Sequence, residues 1–208
     1  MDFLFPMMVK LESRRCIVVG GGEVAASKTD MLLGCGAQVV VIAQGATESI
    51  QALARQAKLE WTARDFVAAD LNGAFLVVAA TNSSAVNEEV FRAGRERGVL
   101  CNVVDDPEHC DFFYPAVVRR GALQIAISTA GYSPALAHRL RLELEQQFGP
   151  EYGAWLEEVG QRRREIMTRE LSEVLRRELL ERIASRQSYE EFVRRGSGKK
   201  AGPMPPDR

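Results

Sequence analysis

Short apolar runs recur along the first half of the chain, and helical or polar stretches separate them. The runs lie at residues 16–19, 38–43, 74–80 and 99–104. Helical spacing follows the first three of them, at residues 23–33, 46–57 and 85–97. Apolar strands without polar alternation are typical of a parallel sheet that is covered on both faces. The pattern therefore predicts a doubly wound, Rossmann-like α/β sheet, with further short strands at residues 7–11 and 59–62.

A β-hairpin and a helix are predicted to follow the sheet. Residues 116–119 and 123–128 flank a turn that contains glycine, which is typical of a hairpin. A Ser-Pro pair opens residues 133–148 and supplies an N-cap and a first helical residue. A hairpin and one leucine-rich helix are too small to bury their own apolar face, so we expect a homodimer that pairs through residues 116–148. The alternative is that the helix packs on the sheet of its own chain.

The rest of the chain is charged. Residues 151–185 have the pattern of two surface helices, and residues 189–193 that of a last turn. The final segment, GSGKKAGPMPPDR, has the composition of a disordered tail. We therefore predict a dinucleotide-binding domain, a small α+β dimerisation domain, a helical region and a tail, at residues 1–113, 114–148, 149–195 and 196–208.

A glycine-rich turn joins the first predicted strand to the first predicted helix. Its spacing is Gly20-x-Gly22-x-x-Ala25, and strand, turn and helix are the context that a dinucleotide fingerprint requires. The glycines permit a tight turn and let backbone N–H groups at the helix N-terminus approach a pyrophosphate. A glycine-rich turn of some other α/β protein is the alternative, and the context favours the nucleotide.

The acidic residue that usually selects the cofactor is missing from its expected position in this chain. In this fold an acidic residue ends the second strand and binds the ribose hydroxyls. Gln44 and Gly45 stand at that place instead, and the next basic residue is Arg55. Gln44 is able to bind a ribose hydroxyl, and we expect NAD rather than NADP.

Polar residues also follow the next two strands. Thr81 comes after one of them, and Asn102 and Asp105 come at the end of the other. Because the carboxyl ends of parallel strands meet at one edge, these side chains are expected to border the ligand crevice. Asp105 is the candidate acid or base, since partial desolvation at a strand end raises the pKa of a carboxylate. The alternative is an aspartate that only caps the turn at Pro107.

A loop rich in hydroxyl groups, residues 128–133, joins the hairpin to the following helix. Its side chains and backbone N–H groups suit a carboxylate ligand. The residues expected to contribute are Ser128, Thr129, Gly131 and Ser133. Ser133 also serves as the N-cap of the helix.

Composition narrows the range of partners. The 208 residues carry a net charge of −1, so no global charge attracts nucleic acid or a membrane surface. No segment reaches the ~18 apolar residues of a membrane span, and the start lacks the pattern of a signal peptide. Four cysteines without paired spacing and two idle histidines indicate free thiols and no metal site. We expect a cytoplasmic protein.

Five segments, taken together, resemble a known family. They read GGGEVAASK, GAQVVVIA, AATNSSAVN, CNVVDDPEHCDFFYPAVVRRG and ISTAGYSPALAHRLR. In this order they are similar to precorrin-2 dehydrogenase, the dehydrogenase and ferrochelatase module of siroheme synthases, over about residues 1–165. The resemblance implies a dinucleotide-binding domain, a small dimerisation domain and a helical C-terminal region.

The resemblance also implies an activity and a set of site residues. The family oxidises precorrin-2, an acidic tetrapyrrole, to sirohydrochlorin with NAD⁺, and its essential aspartate falls on Asp105. The resemblance, the fingerprint and the strand-end position of Thr81 together give eight expected cofactor contacts: Gly20, Gly21, Gly22, Glu23, Val24, Gln44, Gly45 and Thr81. Asn102 and the hydroxyl-rich loop are the expected substrate contacts. Some members also insert Fe²⁺, which makes a ferrochelatase the alternative; a dinucleotide-binding regulator without catalysis is the alternative from another class.

Overall fold

A computed structural model of the chain describes residues 4–197. The chain divides into two compact units, Met1–Tyr114 and Pro115–Arg208. The tail expected at residues 196–208 lies outside the described residues, except for its first two positions, which end the last helix. Within the described part, no helix is both long enough and apolar enough to cross a membrane.

The first unit contains a parallel sheet of five strands in the order β3-β2-β1-β4-β5. The strands are β1 Arg15–Val19, β2 Gln38–Ile42, β3 Glu60–Thr62, β4 Leu76–Ala79 and β5 Leu100–Val103. The helices are α1 Glu23–Leu33, α2 Glu48–Arg55 and α3 Ser84–Arg97, with short 3₁₀ turns at Ala68–Leu71 and Pro107–His109. The strand order reverses beside β1, which is where ligands bind in such sheets. The predicted doubly wound α/β fold is confirmed.

Two hydrophobic clusters cover the two faces of this sheet. Cys16 and Val18 of β1 pack in the cluster that includes α1 and α2, whereas Ile17 and Val19 pack in the cluster that includes α3. Successive residues of a strand point to opposite faces, so both sets must be apolar when both faces are covered. This double burial explains why the strands read as uninterrupted apolar runs.

The strand predicted at residues 7–11 is wrong. These residues form no strand, and the side chain of Met8 is 68% exposed. A turn follows at once, closed by the hydrogen bond from the N–H of Arg14 to the carbonyl of Leu11. Ser13 in that turn has a φ of +59°, so the chain bends before β1 rather than extending into the sheet.

The second unit consists of a hairpin and four helices. The hairpin pairs β6, Ala116–Arg120, with β7, Leu123–Ile127, in antiparallel register. The helices are α4 Pro134–Gln147, α5 Glu151–Met167, α6 Glu173–Ile183 and α7 Arg186–Ser197. The Ser133 hydroxyl accepts a hydrogen bond from the N–H of Leu136, which confirms the predicted N-cap of α4.

The single turn predicted at residues 189–193 is wrong, because these residues lie inside the twelve-residue helix α7. Contacts with α5 stabilise this helix. The ring of Tyr189 stacks on that of Tyr152 at 4.3 Å, and its hydroxyl donates to Glu151 at 2.6 Å. Arg195 forms an ion pair with Glu158 at 2.8 Å. The local sequence does not encode such tertiary contacts, and helices gain most of their stability from them.

Candidate nucleotide-binding site

A cleft of about 410 Å³ opens at the carboxyl ends of β1, β2 and β4. Five of the eight predicted cofactor contacts line it, namely Gly20, Gly21, Gly22, Gln44 and Thr81. Glu23, Val24 and Gly45 are not among the lining residues. Glu23 and Val24 are the exposed first residues of α1, and their contact with a cofactor stays a prediction.

Glycine stands at each of the three positions of the turn for a different physical reason. Gly20 has a φ of +123°, and a Cβ there would lie 2.2 Å from the carbonyl oxygen of Ala80. A Cβ on Gly21 would lie 1.9 Å from the carbonyl oxygen of Gly45. Gly22, in contrast, has no atom within 4 Å of the place of a Cβ. Packing therefore requires the first two glycines, whereas the third leaves open space at the start of α1.

That open space has the electrostatics of an anion site. Gly22 is the N-cap of α1, and no side chain caps the first turn of the helix. The first backbone N–H groups of a helix lack intrahelical partners and carry a partial positive charge. A pyrophosphate placed against Gly22 would accept hydrogen bonds from them.

Gly45 does not line the cleft, but its backbone helps to position the segment that follows β2. The N–H of Thr47 donates to the carbonyl of Gly21 at 2.8 Å, and Gly45 itself lies against Gly21. These contacts fix the end of β2 next to the glycine turn. Gly45 thereby determines the position of its neighbour Gln44, which lines the cleft.

Thr81 lies at the end of β4, where its side chain joins the strand to α3. Its hydroxyl donates to the side-chain oxygen of Asn87 at 2.7 Å, and the amide of Asn87 donates back to the carbonyl of Thr81 at 3.2 Å. The proton of the hydroxyl is therefore committed within the protein. Thr81 can still accept a hydrogen bond from a ligand in the cleft.

Asp105 follows β5 and has a left-handed backbone, with a φ of +62°. The side chain is exposed, so the partial desolvation expected from the sequence is absent. Within residues 4–197, no donor lies within hydrogen-bond distance of its carboxylate. The nearby Lys28 packs over the ring of Tyr114 at 3.9 Å. Desolvation lowers the pKa of Lys28, and the negative charge of Asp105 opposes that shift.

Asn102 is buried, with 6% of its surface exposed, and does not line the cleft. Its side-chain amide donates to the carbonyl of Phe112 at 2.8 Å and lies 3.3 Å from the sulfur of Cys110. These contacts hold the segment after β5 against the strand. The substrate contact expected for Asn102 stays a prediction that its geometry does not support.

The hydroxyl-rich loop, residues 128–133, belongs to the second unit and is shaped by its own hydroxyls. Ser128 accepts from the N–H of Ala130, and Thr129 accepts from the N–H of Ser133, each at 3.1 Å. Ala130 and Gly131 both have positive φ. Each hydroxyl that accepts a backbone hydrogen bond keeps its own proton to donate. Binding of a substrate by this loop stays a prediction.

Two cleft residues that the sequence did not suggest come from the segment after β3. Arg64 and Asp65 line the cleft beside Gln44. The amide of Gln44 donates to both carboxylate oxygens of Asp65, at 2.9 and 3.0 Å. Only the pairing of β3 with β2 brings them together, and no local motif signals it.

From the sequence His109 is expected to be idle, but in the structure its ring has two defined contacts. Its Nδ1 lies 2.6 Å from the carboxylate of Asp106, and its ring packs edge-on against Phe91 at 4.6 Å. The pair borders a second cleft of about 340 Å³ that shares Thr81 and Asn82 with the first. The hydrogen bond to Asp106, together with nearby acidic side chains, raises the pKa of His109 above 6.5. Among the described residues, no three His, Cys, Asp or Glu side chains converge to hold a metal ion.

Models of known protein families match parts of both units. A family model described as "Putative NAD(P)-binding" matches residues 7–116, more than half of the chain. A second model, described as sirohaem biosynthesis protein central, matches residues 120–147. The first match covers the sheet and the cleft, and the second covers β7, the hydroxyl-rich loop and α4.

Related proteins and structures agree with these matches. Siroheme synthase 1 of Serratia proteamaculans is 41% identical over 81% of this chain, and siroheme synthase 1 of Yersinia enterocolitica is 47% identical over 70% of it. The matched region spans only 35% and 30% of those longer proteins. The structure of SirC, a precorrin-2 dehydrogenase, aligns with a TM-score of 0.75 at 26% identity, covering 94% of this chain and 100% of SirC.

Substituting the second and third glycines separates packing from binding. Gly21→Ala places a methyl group against the backbone of Gly45, and we expect the free energy of unfolding to fall by about 1–3 kcal/mol. Gly22→Ala meets no protein atom, so the melting temperature stays close to that of the wild type. Its methyl group instead occupies the space before the N-terminus of α1, and affinity for NAD⁺ falls. Thermal melts and calorimetric titrations measure the two effects; undiminished binding by Gly22→Ala would contradict the pyrophosphate site.

The His109–Asp106 pair predicts a pH dependence of stability. A pKa raised in the folded state contributes stability that is fully present below the unfolded value near 6.5 and is lost as the pH rises through the folded pKa. Nuclear magnetic resonance titration should place the pKa of His109 above 6.5. Asp106→Asn should lower it, while leaving the signal of the other histidine, His138, unchanged. An identical titration of His109 in both proteins would show that the ion pair is absent in solution.

Proposed function

Because the chain belongs to the precorrin-2 dehydrogenase family, the dehydrogenase module of siroheme synthases, we propose that it oxidises precorrin-2 to sirohydrochlorin with NAD⁺. The reaction removes two hydrogens from the tetrapyrrole. One leaves as a hydride, which reduces the nicotinamide to NADH, and the other leaves as a proton. The protein must therefore hold a nucleotide at a fixed place and provide an acceptor for the proton.

The observation that carries this proposal is the cleft at the reversal point of the sheet. Crowded glycines and an uncapped helix N-terminus meet there, as the pyrophosphate of a dinucleotide requires. The likeness to SirC over nearly the whole chain supports precorrin-2 as the substrate. NAD⁺ supplies the hydride acceptor when it is bound, and the protein residues position it at the carboxyl edge of the strands.

Asp105 is the proposed proton acceptor. Its carboxylate has no hydrogen-bond donor among the described residues, so its lone pairs are available to a substrate proton. A positive φ on a residue other than glycine is uncommon, and strained backbone concentrates at functional sites. Both features support a chemical role over capping of the turn at Pro107.

The hydroxyl-rich loop is the proposed site for substrate carboxylates. Ser128, Thr129 and Ser133 each accept a backbone hydrogen bond, which leaves three O–H protons to donate. Hydrogen bonds of this kind to carboxylates are charge-assisted and therefore short and strong. The acidic side chains of a tetrapyrrole would supply such acceptors.

A homodimer through residues 116–148 is part of the proposal. Helix α4 leaves Leu136 and Leu142 exposed, at 38% and 43%, and among its residues only Ala137 is buried within the chain. Burial of such leucines against a second copy would contribute about 25 cal/mol for each Å² removed from water.

The role of Asp105 is tested by Asp105→Asn, which keeps the shape of the side chain and removes the base. NADH formation from precorrin-2 and NAD⁺ under anaerobic conditions should fall by about 10²–10⁴-fold, the usual contribution of a general base. NAD⁺ affinity and melting temperature should be retained, because Asp105 neither lines the cleft nor packs in the core. The matched control is Glu108→Gln, an exposed neighbour on the same turn.

Normal turnover by Asp105→Asn would reduce Asp105 to a turn residue. Absence of turnover in the wild-type chain would contradict the dehydrogenase itself. Addition of Fe²⁺ once the oxidation is complete tests the ferrochelatase alternative, because insertion of the metal changes the absorption spectrum of the tetrapyrrole.

The dimer is tested with two leucines that are equally exposed, at 43%, in different helices. Leu142→Glu in α4 places a charge in the proposed interface, and we expect the dimer dissociation constant to rise at least about tenfold, as burial of an unpaired charge demands. Leu175→Glu in α6 lies outside residues 116–148 and should leave the dimer intact. Sedimentation equilibrium measures both. A monomeric wild type, or dissociation by Leu175→Glu alone, would contradict the proposed interface.

A further inference from the structure

The end of β2 lacks the acidic residue that normally selects the cofactor, and the structure supplies an acid from another strand. We infer that Asp65, after β3, binds the hydroxyls of the adenosine ribose and makes the cleft select NAD⁺ over NADP⁺. The inference rests on the proposed function only in that a dinucleotide occupies this cleft. It assigns a role in specificity to a residue for which the sequence motif has no place.

Strand pairing brings Asp65 to the required position. Strands β2 and β3 are parallel neighbours, with Ile42 level with Thr62 in the register. Gln44 follows β2 by two residues, and Asp65 follows β3 by three, so both lie at the same edge of the sheet. The amide nitrogen of Gln44 lies 2.9 and 3.0 Å from the two carboxylate oxygens of Asp65. Both residues line the cleft that the glycine turn also lines.

The carboxylate of Asp65 retains acceptor sites for a ligand. Each oxygen of an ionised carboxylate can accept two hydrogen bonds, and the amide of Gln44 occupies one site on each. Asp65 is exposed to the cleft, so a ligand can reach the remaining sites. The two hydroxyls of a ribose can donate to one carboxylate, which is the contact that an acid at the end of β2 makes in this fold.

The only arginine that lines the cleft is engaged elsewhere within the described part of the chain. Both terminal nitrogens of Arg64 donate to the carboxylate of Asp70, at 2.9 and 2.5 Å. Burial acts to raise the pKa of Asp70, but hydrogen bonds from Arg64 and from the N–H of Val67 hold it below its usual value. Asp70 therefore stays ionised and neutralises the guanidinium that would otherwise attract a 2′-phosphate.

Arg64 also fixes the backbone of the selecting residue, because its guanidinium donates to the carbonyl of Asp65 at 2.8 Å. The acid is thus positioned from two sides, through its side chain by Gln44 and through its backbone by Arg64. A 2′-phosphate at this place would meet the negative charge of Asp65, and among the described residues that line the cleft no unpaired cation compensates it. Such repulsion rejects the wrong ligand and does not depend on added affinity for the right one.

The test is titration of the full chain with NAD⁺ and with NADP⁺ by isothermal calorimetry. The wild type should prefer NAD⁺. Asp65→Asn removes the charge with little change of shape, and the NAD⁺ affinity should fall by about tenfold or more, because hydrogen bonds to a charged acceptor are stronger than those to a neutral one. NADP⁺ affinity should stay constant or rise, so the preference for NAD⁺ falls by at least the same factor. The matched control is Asp30→Asn, an exposed carboxylate on α1 that does not line the cleft.

The outcomes separate this inference from the proposed function. An unchanged ratio of the two affinities in Asp65→Asn, with normal NAD⁺ binding, overturns the role of Asp65 and leaves the dehydrogenase proposal standing. A wild type that prefers NADP⁺ also overturns it. Failure of the wild-type chain to bind either nucleotide overturns both proposals. Melting temperatures of all three proteins should agree, because neither substituted side chain is buried.

Discussion

The close approach of three backbone segments at the glycine turn is the constraint on which the site depends. Gly20 lies against the carbonyl of Ala80 at the end of β4, and Gly21 lies against that of Gly45 after β2. A side chain at either glycine would push the ends of these strands apart. With glycine at both positions the strand ends meet, and the N-terminus of α1 comes to the edge where the cleft opens.

The charges around this cleft follow from the same arrangement. The start of α1 presents a partial positive charge at Gly22, as a pyrophosphate requires. Strand β2, held by the turn, carries β3 beside it, and the carboxylate of Asp65 comes to lie next to Gln44. The cleft thus has a positive end at Gly22, where we propose that the phosphates bind, and a negative end at Asp65, where we propose that the ribose hydroxyls bind. The local glycine motif predicts the positive end, whereas the negative end arises from the pairing of β3 with β2.

This difference explains how far the sequence could be interpreted. Strands buried on both faces are uniformly apolar, so the sheet was predictable, and the Ser-Pro pair predicted the start of α4 through its own hydrogen bond. Residues 7–11 are mostly apolar, and their composition alone suggested a strand, but Met7, Met8 and Val9 are exposed and only Leu11 is buried. Helix α7 depends on Tyr189 contacting α5, and Asp65 lies 21 residues from Gln44. Contacts between distant segments determine the length of α7 and the position of Asp65, and no local sequence pattern predicts such contacts.

The two adjacent aspartates at the end of β5 have different contacts, and these suit one to a structural role and the other to a chemical one. Asp106 is bound to His109 and precedes the 3₁₀ turn at Pro107–His109, so its carboxylate is committed to holding the loop. Asp105 has a left-handed backbone, and the charge that influences it is that of Lys28 on α1. Among the described residues, no hydrogen bond to the carboxylate of Asp105 is found, whereas one oxygen of Asp106 already lies 2.6 Å from Nδ1 of His109. The carboxylate of Asp105 is therefore the more accessible proton acceptor of the pair, and its uncommon left-handed backbone is consistent with the proposed proton transfer there.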